Sequence, residues 1–478
     1  MSTPRPGRRI ADLPVRRAGQ GTVVAVVLLV LAVVLVLLAG SASPPDDATT
    51  RAKGALVNRA LDACPRFDPP GGTSTSVSLG SGPVRGLGDG GSIRYGALGE
   101  DVAAAEPQDL ARGEVLRVRA DRDASPALAV TAVGRLAAGL FAFQTDTRRD
   151  DATAVTPCPS PRAGWWFTGA GATLDHTSEL VLSNVDPGPA VVDVRMFGPD
   201  GEVETLGTRG ITIPPAGSTT LDLTDVAPQT EELAVSVVAS RGRVVAAVSD
   251  SFAPGIGAAT GVEWIPAQRS AGRIVHLPGL PARADDHTLV LANPSGLETL
   301  VDVEVSGETG SFAPAEDAQV RVPPGAVVTT DLSGTVGRDA SAVTLRSRVP
   351  VTATVRSEVD GDTSYAGGVR WLTGPAVAPV LRGTTTKVQL SAGERAATAT
   401  ATGYDESGKN VGSTTLDIPA GATATWSPRK KAAYVMVTPG EGRILGAVTY
   451  AGSGGSSQVS LEPLVLRVER PVVSPAVH

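Results

Sequence analysis

Two Asp–His pairs stand at matching places in the chain: Asp175–His176 in LDHTSELVLSN and Asp286–His287 in DDHTLVLAN. A carboxylate beside an imidazole is raw material for general acid–base chemistry or metal binding, but either needs a third group converging on the pair. No such cluster accompanies them, and the other histidines, His276 and His478, stand apart. A polar pair repeated just ahead of a strand pattern points to a turn or to a contact between structural units. The string GLGDGG, Gly86 to Gly91, has the G-x-G-x-x-G spacing of a dinucleotide cradle. That cradle requires a helix to follow, and here the strand pattern SIRYGAL follows instead. The carboxylate pairs Asp121/Asp123 and Asp360/Asp362 lie in turn-like sequence, where Asp bonds its own backbone. The nucleophile elbow, H-E-x-x-H, P-loop and EF-hand patterns do not occur. The expectation is a protein that is not an enzyme, with no catalytic residue, no metal ligand and no cofactor.

Two cysteines remain, Cys64 in DACPRFD and Cys158 in VTPCPSP. Without a nearby His or a second cysteine pair they cannot complete a tetrahedral metal site. On the outer, oxidising side of a membrane two thiols are expected as a disulfide. Cys64 precedes the strand pattern SVSL and Cys158 follows TAVTP, so the bridge would clamp the start and end of one domain. The five tryptophans are Trp165, Trp166, Trp264, Trp371 and Trp426, with Trp264 and Trp371 in equivalent places. Such rings most simply fill cores and seams. The run GWWFTG has three adjacent aromatics, Trp165, Trp166 and Phe167. Seam packing is the favoured reading of this run too, but an edge strand cannot easily bury both faces, so these three are the candidate contact if the chain holds a partner or a glycan.

The elements that would position these residues begin with an anchor. Arg5, Arg8, Arg9, Arg16 and Arg17 precede VVAVVLLVLAVVLVLLA, Val23 to Ala39, which has no polar side chain. With its flanks this run reaches about 20 residues, enough to cross the hydrocarbon layer. Arginines before it and PPDD after it place the tail in the cytoplasm and the bulk outside. A cleaved signal peptide is the rival, since AGSAS offers small residues, but a cleavable core is about 7–15 residues long. The chain carries a net charge of −7, and more negative charge without its basic tail. That balance argues against nucleic acid as a partner, since a nucleic-acid surface needs clustered Lys and Arg.

After the anchor the composition is that of sheets: rich in Val, Ala, Thr and Gly, with aromatics only 4%. RAKGALVNRALDA, Arg51 to Ala63, reads as a short helix. Then phrases recur. ELVLSN and TLVLAN end in Asn184 and Asn293, and in the second copy Val301, Val303 and Val305 alternate with Asp302, Glu304 and Ser306. ITIPPAGSTTLDL, VRVPPGAVVTTDL and LDIPAGATATWS follow as a second shared phrase. A third, LAVSVVASRGRVVAAVSDS, reads as a hairpin, as do AVTLRSRVPVTATVRSE, YVMVTPGEGRILGAVTY and LAVTAVGRLAAGLFAFQ. Period-two alternation with one apolar face marks half-buried antiparallel strands. Short strands punctuated by Gly and Pro at a period of about 100 residues indicate β-sandwiches. Propeller blades are about half that length. Each unit is long enough to fold alone, giving independent beads.

The stretch CPSPRAGWWFTGAGAT, with ACP before it and LVLSN, MFGPDG and IPPAGS after it, resembles an actinobacterial family of extracytoplasmic proteins of unknown function (number 5719). Cys158 to Asn184 is the most specific part. The resemblance implies a membrane-tethered envelope protein and supplies no catalytic residues. The whole reading is all-β, with tandem immunoglobulin-like β-sandwiches after one N-terminal transmembrane helix. Its segments are a cytoplasmic tail 1–20, a transmembrane helix 21–40, a stalk 41–63, sandwiches 64–160, 161–268, 269–376 and 377–470, and a tail 471–478. The expected role is a non-enzymatic scaffold or accessory protein of the cell envelope, single-pass in the membrane, with an envelope protein or cell-wall glycan as partner. The alternative is a glycan-binding module chain.

Overall fold

The computed structural model describes residues 27–31, 54–65, 74–119, 127–148, 152–253, 261–315, 317–336 and 339–469. The short run 27–31 is helical and exposed. No helix among the described residues is long and apolar enough to cross a membrane, and most of the expected span 21–40 lies outside them. Asp121 and Asp123 also lie outside them.

Four sets of strands carry the rest, and each set divides into two sheets. In the second set, Gly201–Val203, Ala190–Gly198, Thr230–Arg241 and Gly164–Ala172 form one sheet in that order, with Ile211–Ile213 on the Ala190–Gly198 strand. Gly217–Asp222, His176–Asn184, Val245–Phe252 and Gly261–Ile265 form the other. A single pairing, Thr177 with Ala172, joins them. The core between the sheets takes Trp165, Phe167, Val192, Val194, Val235 and Val237 from the first and Leu180, Leu182, Ala246, Val248 and Ile265 from the second. The period-two pattern puts them there, because alternate side chains of a strand share a face. The same holds in the third set, where Val301, Val303 and Val305 are buried as their alternation requires. In the fourth set Ala397, Ala399 and Ala401 are buried in the same way.

The first set has the same order in smaller form. Arg59–Cys64, Leu128–Gly134 and Gly91–Ala97 make one sheet; Val115–Arg119, Ser74–Ser81, Leu140–Thr147 and Thr153–Pro157 make the other. This corrects the helix expected over Arg51 to Ala63. Residues 59–64 pair with 128–134 as a strand, so the first unit starts before Cys64 rather than at it. Ala, Leu and Arg favour helix only weakly, and a sheet partner outweighs that preference.

A second correction concerns the recurrent phrase read as a hairpin. Thr230–Arg241 and Val245–Phe252 do not pair with each other; the turn between them passes from one sheet to the opposite one. The true hairpin is the next one, Val245–Phe252 with Gly261–Ile265. In the third set the corner has no turn at all. Ser341–Val359 is one continuous strand, pairing with 272–280 and 299–307 in its first half and with 286–292 and 362–367 in its second. The reason lies in the corner residues. Gly242 and Gly442 take left-handed φ values of 73° and 78°, whereas the third set has Arg348, Val349 and Pro350 there. Without a glycine the chain runs on extended.

Residues 56–468 form one compact body, which corrects the expectation of independent beads. The first and fourth sets meet as directly as neighbours in sequence do. Val57 N–H donates to Leu466 O at 3.0 Å, Val115 N–H to Glu406 O at 3.0 Å, and Tyr434 Oη to Gly113 O at 2.8 Å. Phe141 and Phe143 of the first set pack into the core cluster of the fourth. The four units thus close into a circuit.

Candidate functional site

Cys64 and Cys158 form a disulfide with Cα atoms 4.2 Å apart. Cys64 ends the strand Arg59–Cys64 and Cys158 follows Thr153–Pro157, so the bridge ties the first strand of the first unit to its last. Ala63 N–H donates to Pro159 O alongside it, at 3.2 Å.

The aromatic run packs into the core and against a neighbouring unit. Trp165 and Phe167 are buried in the core, and Trp165 donates its Nε1–H to Val244 O at 3.0 Å. Neither can offer a face to a glycan or a partner. Trp166, half-buried, points the other way and stacks on Phe197, its centroid 5.7 Å away, beside Val290, Ala292 and Val327 of the third unit. The strand buries both faces because a neighbouring unit covers its outer one. Trp264 likewise packs on Ala154 of the first unit. Trp371 lies 4.5 Å from the His276 ring.

The first Asp–His pair lies at a seam, whereas the second is held inside its own unit. His176 opens the strand His176–Asn184, with Nδ1 2.8 Å from Glu231 O and Nε2 3.1 Å from Asp250 Oδ1. Ser178 donates to the same carboxylate oxygen, and Tyr365 of the third unit donates to the other. Arg356 reaches back to Glu232 at 2.7 Å and lies over the Phe252 ring. Burial works against the His176 imidazolium, but Asp250 beside it outweighs this and holds the pKa above its ordinary value. The arrangement contains Ser, His and Asp, but the carboxylate sits between the other two. Ser178 therefore has no imidazole to take its proton, as a nucleophile would require. His287 bonds Ser357 Oγ through Nδ1 at 2.8 Å, and burial pushes its pKa down to about 4. His276 is pushed down to about 4 in the same way.

Sequence reasoning missed the groups that do most at these seams. Asp146 of the first unit accepts from Trp264 Nε1 of the second at 2.9 Å. Asp250 of the second accepts from Tyr365 of the third. Both acids sit at the same place in the strand before a unit's last one, and both donors sit on the last strand of the following unit. The recurring acid in FAFQTD and AAVSD was visible; its partner a hundred residues on was not. Glu263, buried, accepts from Val155 N–H at 3.3 Å, from Trp264 N–H at 2.8 Å and from Ser457 Oγ. Burial pushes its pKa well up, the hydrogen bonds it accepts oppose this, and the nearby Asp362 carboxylate adds to the rise. Asp362 belongs to the same belt and accepts from Ser456 N–H at 3.1 Å, so it is a seam group rather than a turn group.

One cavity adjoins the disulfide. It has a volume of about 720 Å³ and lies where the first, second and fourth units meet. Leu61, Leu140 and Phe141 form part of its apolar wall, and Asp62, Ser160 and Glu462 its polar part. Asp62 is 7% exposed, accepts from Ser160 Oγ at 2.5 Å, and is pushed up by burial to a pKa of about 7. A carboxyl poised there can take or give a proton near neutrality. GLGDGG proves to be a turn ahead of the strand Gly91–Ala97, with no helix after it.

Compared with known families, residues 117–429 match the model of a family described only as a family of unknown function, DUF5719. No curated protein matches the chain. The matched span opens inside the first unit and closes inside the fourth, so it covers the second and third units whole.

Proposed function

We propose, from the premise that the chain belongs to the DUF5719 family, that it is a membrane-anchored extracytoplasmic scaffold or accessory protein of the cell envelope and not an enzyme. The observation that carries this reading is where the buried polar groups go. Asp146, Asp250, Glu263 and Asp362 bond across unit boundaries rather than converging on an open cleft. Side chains spent in that way hold four modules in fixed relation, which is what a scaffold needs and a catalyst does not. The disulfide fits an oxidising compartment outside the cytoplasm. The apolar run Val23 to Ala39 supports a single membrane pass. Each unit, with two facing sheets of short antiparallel strands, is read as an immunoglobulin-like sandwich. The glycan-binding alternative loses its platform with Trp165 and Phe167 buried.

The test is crosslinking of intact cells with a membrane-impermeant reagent, followed by purification of the chain from detergent. The reading expects the chain in the membrane fraction, oxidised at Cys64 and Cys158, and crosslinked to an envelope protein. Recovery from the cytosol with both thiols reduced would overturn it.

A further inference from the structure

The last strands of the four units, Thr153–Pro157, Gly261–Ile265, Asp362–Gly367 and Gly455–Ser460, lie together at the middle of the circuit. Glu263 bonds Val155 N–H and Ser457 Oγ, and Asp362 bonds Ser456 N–H, so each strand touches a counterpart from another unit. The residues that follow these strands must therefore emerge close to one another. Within five residues of each strand end comes one charged side chain: Arg162, Arg269, Arg370 and Glu462. The linkers that carry them are joined. Trp166 and Gln268 exchange backbone hydrogen bonds at 3.0 and 2.8 Å, and Gln268 donates to Ala353 O of the third unit at 2.6 Å. A Cβ on Gly368 would stand 2.5 Å from Gln268 Oε1.

Arg162 and Arg269 thus lie within electrostatic reach of Glu462, and Arg370 within reach of Arg162. None of them forms a salt bridge among the described residues. Arg162 is held in place, its guanidinium 3.5 Å from the centre of the Trp165 ring, and its buried Nε has no acceptor. Arg269 and Arg370 are exposed and free to turn toward a ligand. Burial lowers the Arg162 pKa to about 10; Arg269 and Arg370 lower it further and Glu462 opposes them, so these charges feel one another. The three positive charges outnumber the one carboxylate near them, and an added anion would balance the excess. Arginine forks suit the oxygens of a phosphoryl group better than any other side chain does.

We infer that Arg162, Arg269 and Arg370 form a binding site for a phosphoryl oxyanion, either a soluble phosphate or the headgroup of an anionic phospholipid. The site does not depend on the scaffold reading, and its test has a different readout. The full-length protein in detergent is titrated calorimetrically with inorganic phosphate and with pyrophosphate at fixed ionic strength. In parallel it is floated with vesicles of neutral phospholipid, with and without phosphatidylglycerol. Saturable binding to pyrophosphate or phosphate identifies a soluble ligand; flotation that requires phosphatidylglycerol identifies a headgroup. In either case Arg269→Ala with Arg370→Ala should weaken binding at least tenfold while the melting profile stays unchanged. Glu462→Gln should tighten it severalfold, and Arg209→Ala, elsewhere on the second unit, should leave it alone. No saturable binding to any of these probes, or binding that survives the double arginine variant, overturns the assignment.

Discussion

Asp62 changes its protonation near neutral pH. Burial raises its pKa from 3.8 to about 7, the Ser160 hydrogen bond lowers it and Glu462 raises it. The folded protein therefore binds this proton more tightly than the unfolded chain does, and the stabilisation is complete below about pH 4 and lost as pH rises through 7. Asp146, raised to about 6 by burial, acts in the same direction at lower pH. His276 and His287, lowered to about 4, oppose both, but only as pH falls below 6.5. Between pH 6.5 and 8 the melting temperature should fall, with the raised His176 and Glu263 acting in the same direction, and Asp62→Asn should make that slope shallower; an equal slope in the variant would contradict the assignment. Asn184 and Asn293 make a second case. Each is buried and donates Nδ2 to three carbonyls, Asn184 to Gly188, Ile213 and Pro214, and Asn293 to Leu297, Val322 and Pro323. Replacing either by Ala should cost about 1–3 kcal/mol in denaturant melts, since buried carbonyls lose their donor. The repetition of Asn was legible in the sequence. Its partners, in the following proline phrase, were not, because spacing alone does not say which strand end folds back.

At the scale of elements, the alternation of Val301, Val303 and Val305 with polar residues placed their strand and its inward face correctly, because period and burial are linked directly. Pairing was a different matter. Two strands joined by a short glycine turn look the same whether they pair or diverge into opposite sheets, and the SRG phrase proved to be a corner between sheets. Gly242 is what makes that corner, with φ of 73° and a would-be Cβ 3.2 Å from Ala190 Cα. Gly242→Val should destabilise by about 1–3 kcal/mol, read from chemical denaturation, through backbone strain and that close approach. The disulfide joins first strand to last across 94 residues of sequence. On the chain-entropy model such a span contributes up to about 4–5 kcal/mol. Because the first unit packs into the fourth, reduction should lower the melting temperature of the whole body, and an unchanged calorimetric profile would contradict that coupling.

The whole molecule is where sequence and structure part most. Four repeats were legible because the phrases repeat. Their closure was not, because Tyr434 with Gly113 and Val57 with Leu466 join positions hundreds of residues apart with no shared motif. Nor could burial of Trp166 be read locally, since its cover comes from the third unit. Residues 56–468 are one closed body, the first unit seated on the fourth. Small-angle X-ray scattering of a fragment spanning residues 54–469 measures this most directly. A compact body of that length should show a radius of gyration of about 22–25 Å by the usual size scaling. A value beyond about 35 Å, as four ~13 Å units strung end to end would give, would contradict the closure.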